Sequence, residues 1–262
     1  MTSASSGVTA LFCTHAETST GVVSDVRGIA ERARATGVLT VVDAISSLGA
    51  IPLEQDAWGI DLVVSGSQKA LMTPPGLALA SPTAAALEAS RRASSSRYYL
   101  DWEHALRAQA ETLTPFTPAI TLIRGLDVAL DLLLADGLEA AWERSRRLAL
   151  ACRAGVKALG LELFSPDEDR SAVVTAIRVP EGVDGAAVVR AMRERSGVTI
   201  AGGQGELKGK VVRIGHIGYV GLDDVAAALE ALGLALATTG RSIDPGAGPE
   251  AARDAYAGAV RA

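Results

Sequence analysis

The first part of the chain alternates short apolar runs with segments of helical periodicity. The runs, which are typical of strands buried on both faces of a sheet, lie at 8–13, 38–42, 61–64 and 76–80. Between the first two runs, Ser24 or Asp25 can cap a helix that ends at Gly37. The connection before the fourth run is too short for a helical crossover, so we expect that run to pair antiparallel. The pattern predicts an α/β fold with a mainly parallel sheet and flanking helices.

From Pro82 onward the pattern is first helical and then alternates strands with helices. Helices are predicted at 84–92, 120–135, 138–159, 186–195 and 223–237, and strands at 161–164, 172–179, 198–200 and 211–214. The segment 114–118 (TPFTP) cannot be helical and predicts a fixed loop. The tail 238–262 mixes Gly, Pro and Ala and is expected to be partly loose. We predict two domains, 1–130 and 131–262, the second being an α+β unit.

Composition narrows the class of protein. The 262 residues are 48% hydrophobic, with a net charge of −5 and an isoelectric point near 5.3. These values predict a globular protein and argue against nucleic acid or an anionic membrane as a partner. No apolar segment is long enough to span a bilayer, and residues 1–7 lack the cationic region of a secretory signal. Cys13 and Cys152 lie in apolar runs and are expected to be reduced thiols, so we expect a cytoplasmic location.

Polar side chains follow three of the predicted strands, at the ends where parallel α/β sheets bind ligands. Pyridoxal phosphate chemistry needs a lysine amine for a Schiff base with the cofactor aldehyde and a carboxylate against the pyridine nitrogen. Lys69 and Asp43 suit these two roles, and the Thr18 hydroxyl suits the phenolic oxygen of the cofactor. The same residues also have simpler interpretations: a solvated lysine, a helix-capping or turn-forming aspartate and a turn threonine. The full set is His15, Glu17, Thr18, Ser19 and Thr20 after the first strand, Asp43, Ser46 and Ser47 after the second, and Ser65, Ser67, Gln68 and Lys69 after the third.

Longer segments of the chain resemble one known family. The segments 43–49 (DAISSLG), 56–61 (DAWGID) and 65–76 (SGSQKALMTPPG) are similar to the class V aminotransferases, which are fold-type I pyridoxal phosphate enzymes. Upstream, 15–21 (HAETSTG) resembles the HxETSTG segment of the alanine–glyoxylate and serine–glyoxylate branch. Downstream, 210–216 (KVVRIGH) resembles the carboxylate-binding strand of that branch. The order and the spacing of all these segments fit the family.

The resemblance implies a role in the cofactor site for each matching residue. Lys69 is expected to be the Schiff-base lysine, and Asp43 the partner of the pyridine nitrogen. Thr18 is expected beside the phenolic oxygen, and Gln68 near the cofactor phosphate. Ile45 is expected among the cofactor-binding residues.

Two further residues are assigned by the same resemblance. Arg213 is expected to clamp the substrate α-carboxylate, a task that suits the two parallel donors of a guanidinium. Without the family match, Arg213 would be interpreted as a strand arginine in an ordinary ion pair. Thr117 matches a residue that reaches the cofactor phosphate of the partner subunit, although Thr114 competes for this role.

The resemblance also implies a fold and a reaction. Residues 1–130 would be the remainder of the cofactor-binding large domain, that is, a partial pyridoxal phosphate (PLP)-transferase domain. Residues 131–262 would be the small C-terminal α+β domain. The expected activity is transfer of an amino group from a small amino acid, such as alanine or serine, to a small keto acid such as glyoxylate or pyruvate. A homodimer is implied, with the segment 98–102 and the loop 114–118 at its interface.

The chain departs from the family at one point. Members of this branch have a longer N-terminal part, with a phosphate-binding turn at a helix N-terminus and an aromatic ring that stacks on the pyridine. Residues 1–7 resemble neither element. We therefore expect open edges and exposed apolar faces in the sheet. The alternative function is a cofactor-poor relative without activity of its own, either an interaction protein or a gene fragment.

Other chemistries find no support in the sequence. His15, His104 and His216 are scattered and have no Cys or carboxylate partners at metal-binding spacing, so no metal site is expected. The glycines of 202–205 are expected to form a hairpin-like connection that leads to Arg213, because they fit neither nucleotide-binding loop. A desulfurase needs a mobile cysteine, whereas Cys152 lies within a predicted helix.

Overall fold

The structure is a computed structural model that describes residues 7–166 and 171–259. The strands are β1 (Ala10–Thr14), β2 (Ala16–Glu17), β3 (Val22–Val23), β4 (Leu39–Asp43), β5 (Leu62–Gly66), β6 (Ala78–Pro82), β7 (Val174–Arg178), β8 (Ala201–Gly202) and β9 (Val211–Gly215). The helices are α1 (Val26–Ala35), α2 (Gln55–Trp58), α3 (Ala84–Arg92), α4 (Trp102–Ala110), α5 (Ile120–Leu134), α6 (Leu138–Ala158), α7 (Gly185–Ser196), α8 (Leu222–Ala237) and α9 (Ala247–Gly258). These elements confirm the predicted α/β class.

The chain forms two compact units that are interleaved along the sequence. The first contains the described residues up to His15 together with Ser24–Ile45 and Leu53–Asp131. The second contains Ala16–Val23, Ser46–Pro52 and the described residues from Leu132 onward.

A four-stranded sheet forms the centre of the first unit, in the order β1-β4-β5-β6. The first three strands are parallel, and β6 pairs antiparallel with β5, as the short connection predicts. The Asp25 side chain accepts a hydrogen bond from the Gly28 amide at 3.1 Å, which starts α1 between β1 and β4. The alternative cap, Ser24, is not used in this way.

Strand β1 lies at one edge of this sheet and exposes apolar side chains. Phe12 is 76% exposed and Leu11 is 38% exposed, although successive residues of a strand face opposite sides. The expectation of exposed apolar side chains is therefore confirmed at β1, and among the described residues no strand pairs with its outer edge.

The second unit has a three-stranded antiparallel sheet, in the order β7-β9-β8, packed against a layer of helices. Its core contains aliphatic side chains of α6, α7 and α8 and of the two longer strands. Representative members, all less than 4% exposed, are Leu148, Val156, Ile177, Val188, Met192, Val212, Leu229 and Leu232.

Helix α9 corrects the expectation of a loose tail. It packs against α6 and α8, and its buried residues are Gly248, Pro249 and Ala252. The guanidinium of Arg147 on α6 lies 4.0 Å from the centre of the Tyr256 ring on α9. Only the last residues of the predicted tail, 260–262, lie outside the described part of the chain.

Two predicted strands are also corrected. At 161–164 the chain forms only an isolated bridge between Leu163 and Ile177. The backbone hydrogen bonds between the two segments stop at the residues on either side of this pair. The predicted strand 198–200 is irregular, because the Val198 amide still closes the end of α7 by donating to the Met192 carbonyl. Strand β8 begins only at Ala201.

Over the residues that the structure describes, no helix combines the length and the apolar character needed to cross a membrane.

Candidate active site

Asp43 and Lys69 lie at the same edge of the first unit's sheet. Asp43 is the last residue of β4, and it pairs in parallel register with Val64 of β5. Strand β5 ends at Gly66, three residues before Lys69. Because β4 and β5 are adjacent and parallel, their carboxyl ends deliver an acid and an amine to one edge.

The side chains of both residues have charged atoms that no described residue bonds. Lys69 is half-buried, and within 7–166 and 171–259 its ammonium forms no ion pair. Oδ1 of Asp43 accepts a 2.9 Å hydrogen bond from the Ile45 amide. Oδ2 of Asp43 has no protein donor among the described residues. The turn after β4 thus fixes one carboxylate oxygen and leaves the other available for a ligand.

Lys69 belongs to a loop that is closed by hydrogen bonds at its base. The loop 67–77, here called the lysine loop, connects β5 to β6. The Ser67 amide donates to the Leu77 carbonyl at 3.1 Å, and the Met72 amide donates to the Lys69 carbonyl at 3.0 Å. Met72 adopts φ +57°, in the left-handed region that a residue with a side chain seldom occupies. The hydrogen bonds and the conformation of Met72 together restrict the backbone that carries Lys69.

Gln68 and Ile45 flank the acid and the amine in sequence. Gln68 is exposed, and its Oε1 would lie only 2.8 Å from a Cβ added to Gly66. Gly66 therefore leaves the space into which the Gln68 amide folds. Ile45 contributes its backbone amide to Asp43, as described above, and its side chain is half-buried.

Thr117 lies in the first unit, in the loop before α5, and is exposed. Its hydroxyl forms no hydrogen bond among the described residues, whereas the Thr114 hydroxyl donates to the Phe116 carbonyl at 2.8 Å. Of the two candidates for a phosphate contact, Thr117 is therefore the one with an uncommitted hydroxyl. Its assignment stays a prediction.

Arg213 and Thr18 are in contact within the second unit. Arg213 lies on β9 and is only 8% exposed. Its Nη1 donates to the Thr18 carbonyl at 2.7 Å, and its Nε donates to the Gly202 carbonyl at 2.9 Å. Two backbone carbonyls thus hold the guanidinium, and among the described residues Nη2 is left without an acceptor.

An acidic residue lies next to this arginine. Hydrogen bonds from Ser19 hold the pKa of Glu17 below its usual range, and the positive charge of Arg213 adds to the effect. The carboxylate of Glu17 is exposed, so its attraction for Arg213 is screened by water. Arg213 is therefore positioned mainly by carbonyl groups, which leaves its charge largely uncompensated.

The two cysteines are unsuited to nucleophilic chemistry at neutral pH. Both are free thiols, and burial raises the pKa of Cys152, on α6, to about 11. Burial also raises the pKa of Cys13. A fixed, fully buried Cys152 is the opposite of the mobile cysteine that a desulfurase requires.

Two histidines are buried in their neutral form, a feature that the sequence did not reveal. Burial lowers the pKa of His15 to about 4, and burial followed by the charge of Arg153 lowers that of His216 to about 3. Nε2 of His216 lies 3.0 Å from Oγ1 of Thr175. Among described residues, no group of His, Cys, Asp and Glu side chains could hold a metal ion.

Comparison with known protein families identifies the chain's ancestry. The model of the aminotransferase class-V family matches residues 3–225. The chain therefore belongs to the class-V aminotransferase family.

Individual relatives agree with this assignment. The chain is 44% identical to the soluble hydrogenase small subunit of Synechococcus sp. (strain PCC 6716) over 93% of its own length. It is 37% identical to the serine–glyoxylate aminotransferase of Hyphomicrobium methylovorum over 95% of its length. The chain spans 64% and 63% of the lengths of these two relatives.

The fold agrees as well. The crystal structure of pyridoxamine–pyruvate aminotransferase from Mesorhizobium loti matches with a TM-score of 0.89 and 37% identity. The match covers 95% of this chain and 65% of that one.

Membership of this family implies pyridoxal phosphate as the cofactor. The donor set in the first unit fits that group. Over the described part of the chain, the amine forms no ion pair, which suits an aldehyde, and the carboxylate has one uncommitted oxygen, which suits a pyridine nitrogen. The side-chain amide of Gln68 suits a phosphate. Lys69, Asp43 and Gln68 are therefore the residues predicted to hold the cofactor.

Proposed function

We propose that the chain contains the lysine-bearing part of a pyridoxal phosphate-dependent aminotransferase. Its substrates would be a small amino acid, such as alanine or serine, and a small keto acid, such as glyoxylate or pyruvate. The observation that supports this most is the parallel pairing of β4 with β5, which brings Asp43 and Lys69 to one sheet edge. Two relatives point the same way, since their names are serine–glyoxylate aminotransferase and pyridoxamine–pyruvate transaminase.

The acid and the amine divide the work at this edge. Pyridoxal phosphate, when bound, supplies an aldehyde for the amine and a ring that accepts electrons. Asp43 would keep the ring nitrogen protonated, because an ionised carboxylate stabilises a neighbouring positive charge. Lys69 is the amine that would hold the aldehyde, and when free it would carry a proton from the substrate α-carbon to the aldehyde carbon of the cofactor. Its half-buried amine, which forms no ion pair with any described residue, suits both tasks.

Arg213 would bind the substrate α-carboxylate. A carboxylate approaching the outer face of its guanidinium would find Nη2 uncommitted, while the Nε and Nη1 bonds keep the group in place. An arginine fixed in advance loses little further freedom on binding, which favours affinity. Selectivity for keto and amino acids over neutral compounds would follow from this one charge.

A second copy of the chain is the proposed partner. Tyr98, Tyr99 and Phe116 form an aromatic cluster in which the Tyr99 and Phe116 ring centres are 4.8 Å apart. Both tyrosines are exposed, and the uncommitted Thr117 hydroxyl follows directly in the sequence. Exposed aromatic side chains are typical of interface centres. The two free cysteines suit a reducing compartment such as the cytoplasm.

The alternative proposal is a cofactor-poor relative that acts by binding another protein. The observation that favours it is the exposed apolar surface of β1, where Phe12 is 76% exposed. This alternative predicts a folded chain that binds no pyridoxal phosphate.

A titration with pyridoxal phosphate separates the two proposals. The aminotransferase proposal predicts a yellow protein in which borohydride reduction fixes the cofactor on Lys69, as mass spectrometry would show. Lys69→Ala should abolish the adduct, and Lys208→Ala, at an exposed lysine, should not. A wild-type chain that is folded by circular dichroism but forms no adduct on Lys69 would refute the proposal.

A further inference from the structure

The hydroxyl of Ser67 occupies an unusual place in the ladder between β5 and β6. The register pairs Gly66 with Ala78, so Ser67 and Leu77 are the next pair outward. In a regular antiparallel pair, the Leu77 amide would donate to the Ser67 carbonyl. Here it donates to Ser67 Oγ at 3.3 Å instead. The side chain thus replaces its own backbone carbonyl as the acceptor.

This replacement frees the Ser67 carbonyl for a second task. It accepts a 3.0 Å hydrogen bond from the Thr73 amide, on the far side of Lys69 in the sequence. The Ser67 hydroxyl in turn donates to the Pro74 carbonyl at 2.7 Å. Ser67 therefore bonds to three later residues of the lysine loop, Thr73, Pro74 and Leu77, while being 0% exposed itself.

We infer that Ser67 is a positioning residue for Lys69. Its hydroxyl joins the start of the lysine loop, before Lys69, to the end of the loop, after Lys69. The inference rests on the proposed function, in which Lys69 must hold and release the cofactor at one place. Ser67 touches neither substrate nor cofactor in this account. It acts by fixing the backbone from which Lys69 projects, including the left-handed turn at Met72.

The physical basis is the cost of unpaired backbone groups. Without the hydroxyl, the Leu77 amide and the Pro74 carbonyl lose the only protein partners that the described residues give them. The loop would then open to water in order to satisfy these groups. Lys69 would move with it, from a half-buried to a more exposed and more variable position.

Ser67→Ala tests this inference against a matched variant, Ser65→Ala. Ser65 is also buried on β5, and its hydroxyl donates to the Ala44 carbonyl at 3.2 Å but not to the lysine loop. Both variants lose one buried hydroxyl, so a general loss of stability should affect them alike. Only Ser67→Ala should loosen the lysine loop.

Two measurements on the chain without added cofactor give the result. Hydrogen exchange at the Leu77 amide should become about five- to tenfold faster in Ser67→Ala, as expected for one lost hydrogen bond. Acylation of Lys69 by a small anhydride, followed by mass spectrometry relative to Lys208, should become faster by a similar factor. Ser65→Ala should change neither rate by more than about twofold.

Ser67→Thr retains a hydroxyl and should restore both rates towards those of the wild type. The inference is overturned if Lys69 acylation in Ser67→Ala stays within twofold of the wild type, or if Ser65→Ala accelerates it equally. If the added methyl group of Ser67→Thr prevents folding, the comparison of the two alanine variants is sufficient to decide. A wild-type chain without a pyridoxal phosphate adduct on Lys69 would refute the proposed function but would leave these two measurements decisive for Ser67.

Discussion

Nη1 of Arg213 donates a 2.7 Å hydrogen bond to the carbonyl oxygen of Thr18, a residue 195 positions away in the sequence. This bond joins β9 to the turn of the small hairpin formed by β2 and β3. A buried arginine in the second unit is thus held before any ligand arrives.

Arg213→Lys should weaken both this attachment and the binding of small carboxylates. An ammonium group cannot reach two carbonyls and a carboxylate in one plane, so we expect a loss of about 1–3 kcal/mol in the free energy of unfolding. We also expect at least about tenfold weaker pyruvate binding, measured by calorimetry, since a bidentate pair becomes a single contact. Arg190→Lys, at an exposed position on α7, is the control and should change neither value. Equal pyruvate affinity in both variants would contradict the assignment.

Asp43→Asn should lower the affinity for pyridoxal phosphate without unfolding the turn after β4. An amide oxygen can still accept the hydrogen bond from the Ile45 amide, but a neutral side chain no longer stabilises a protonated ring nitrogen. We expect at least about tenfold weaker cofactor binding in a fluorescence titration.

Asp61→Asn is the matched control for that variant. Oδ2 of Asp61 accepts a 2.8 Å hydrogen bond from the Thr40 amide at the other end of the same strands. The substitution should leave cofactor binding unchanged. If both asparagine variants weakened binding alike, the effect would come from the stability of the sheet rather than from the charge of Asp43.

Gly155→Ala should destabilise the second unit, although alanine is the better helix former. A Cβ at Gly155 on α6 would lie 2.6 Å from the backbone carbonyl oxygen of Gly248 on α9, which cannot move aside as a flexible side chain can. We expect a loss of about 1–3 kcal/mol in the free energy of unfolding in urea. Gly125→Ala on α5 meets only Thr73 Cγ2 at 3.6 Å and should be neutral or stabilising by up to about 1 kcal/mol. A stabilised Gly155→Ala variant would mean that α9 does not pack as described.

Acid should destabilise the chain through its buried histidines. The pKa of His216 is about 3 and that of His15 about 4 in the folded protein, both below the ordinary value of 6.5. The unfolded chain therefore binds more protons than the folded chain below pH 6.5, and stability falls as the pH decreases towards the folded values. Between pH 7 and pH 5 each histidine should contribute a loss of about 2 kcal/mol.

Urea unfolding of the wild type and of His216→Asn at these two pH values measures the contribution of His216. The variant is expected to be less stable at pH 7 because it loses the contact with Thr175. Its decrease in stability between pH 7 and pH 5 should nevertheless be smaller than that of the wild type by about 2 kcal/mol. An equal decrease in both proteins would show that His216 titrates normally.

Sequence patterns predicted the elements whose buried side chains are large enough to form a continuous apolar run or a helical period. The continuous apolar runs around Val42 and Val63 correspond to β4 and β5, and the antiparallel partner of β5 was also expected. Helix α9 was not predicted, because the residues that it buries are Gly248, Pro249 and Ala252. Such small side chains give no hydrophobic period, and their value for packing appears only when the neighbouring helices are in place.

The candidate site was predictable to the extent that it depends on strand ends. Asp43 directly follows one apolar run and Lys69 lies a few residues after the next, so the rule that ligands bind at the carboxyl ends of parallel strands points to both. The role inferred for Ser67 could not be predicted, because a serine hydroxyl bonded to a backbone amide ten residues later leaves no pattern in the sequence. The assignments of Thr18, Ile45, Gln68, Thr117 and Arg213 to cofactor and substrate remain predictions from the family resemblance.

The uncovered edge of β1 sets a practical limit on work with this polypeptide. Among the described residues, β1 (Ala10–Thr14) pairs with a strand on one side only, so its outward-facing main-chain groups lie beside the exposed Phe12 ring. This is the arrangement from which intermolecular strand addition begins. Turbidity should therefore rise steeply with protein concentration and fall when Phe12 is replaced by lysine. Crystallisation and storage are best attempted with that replacement.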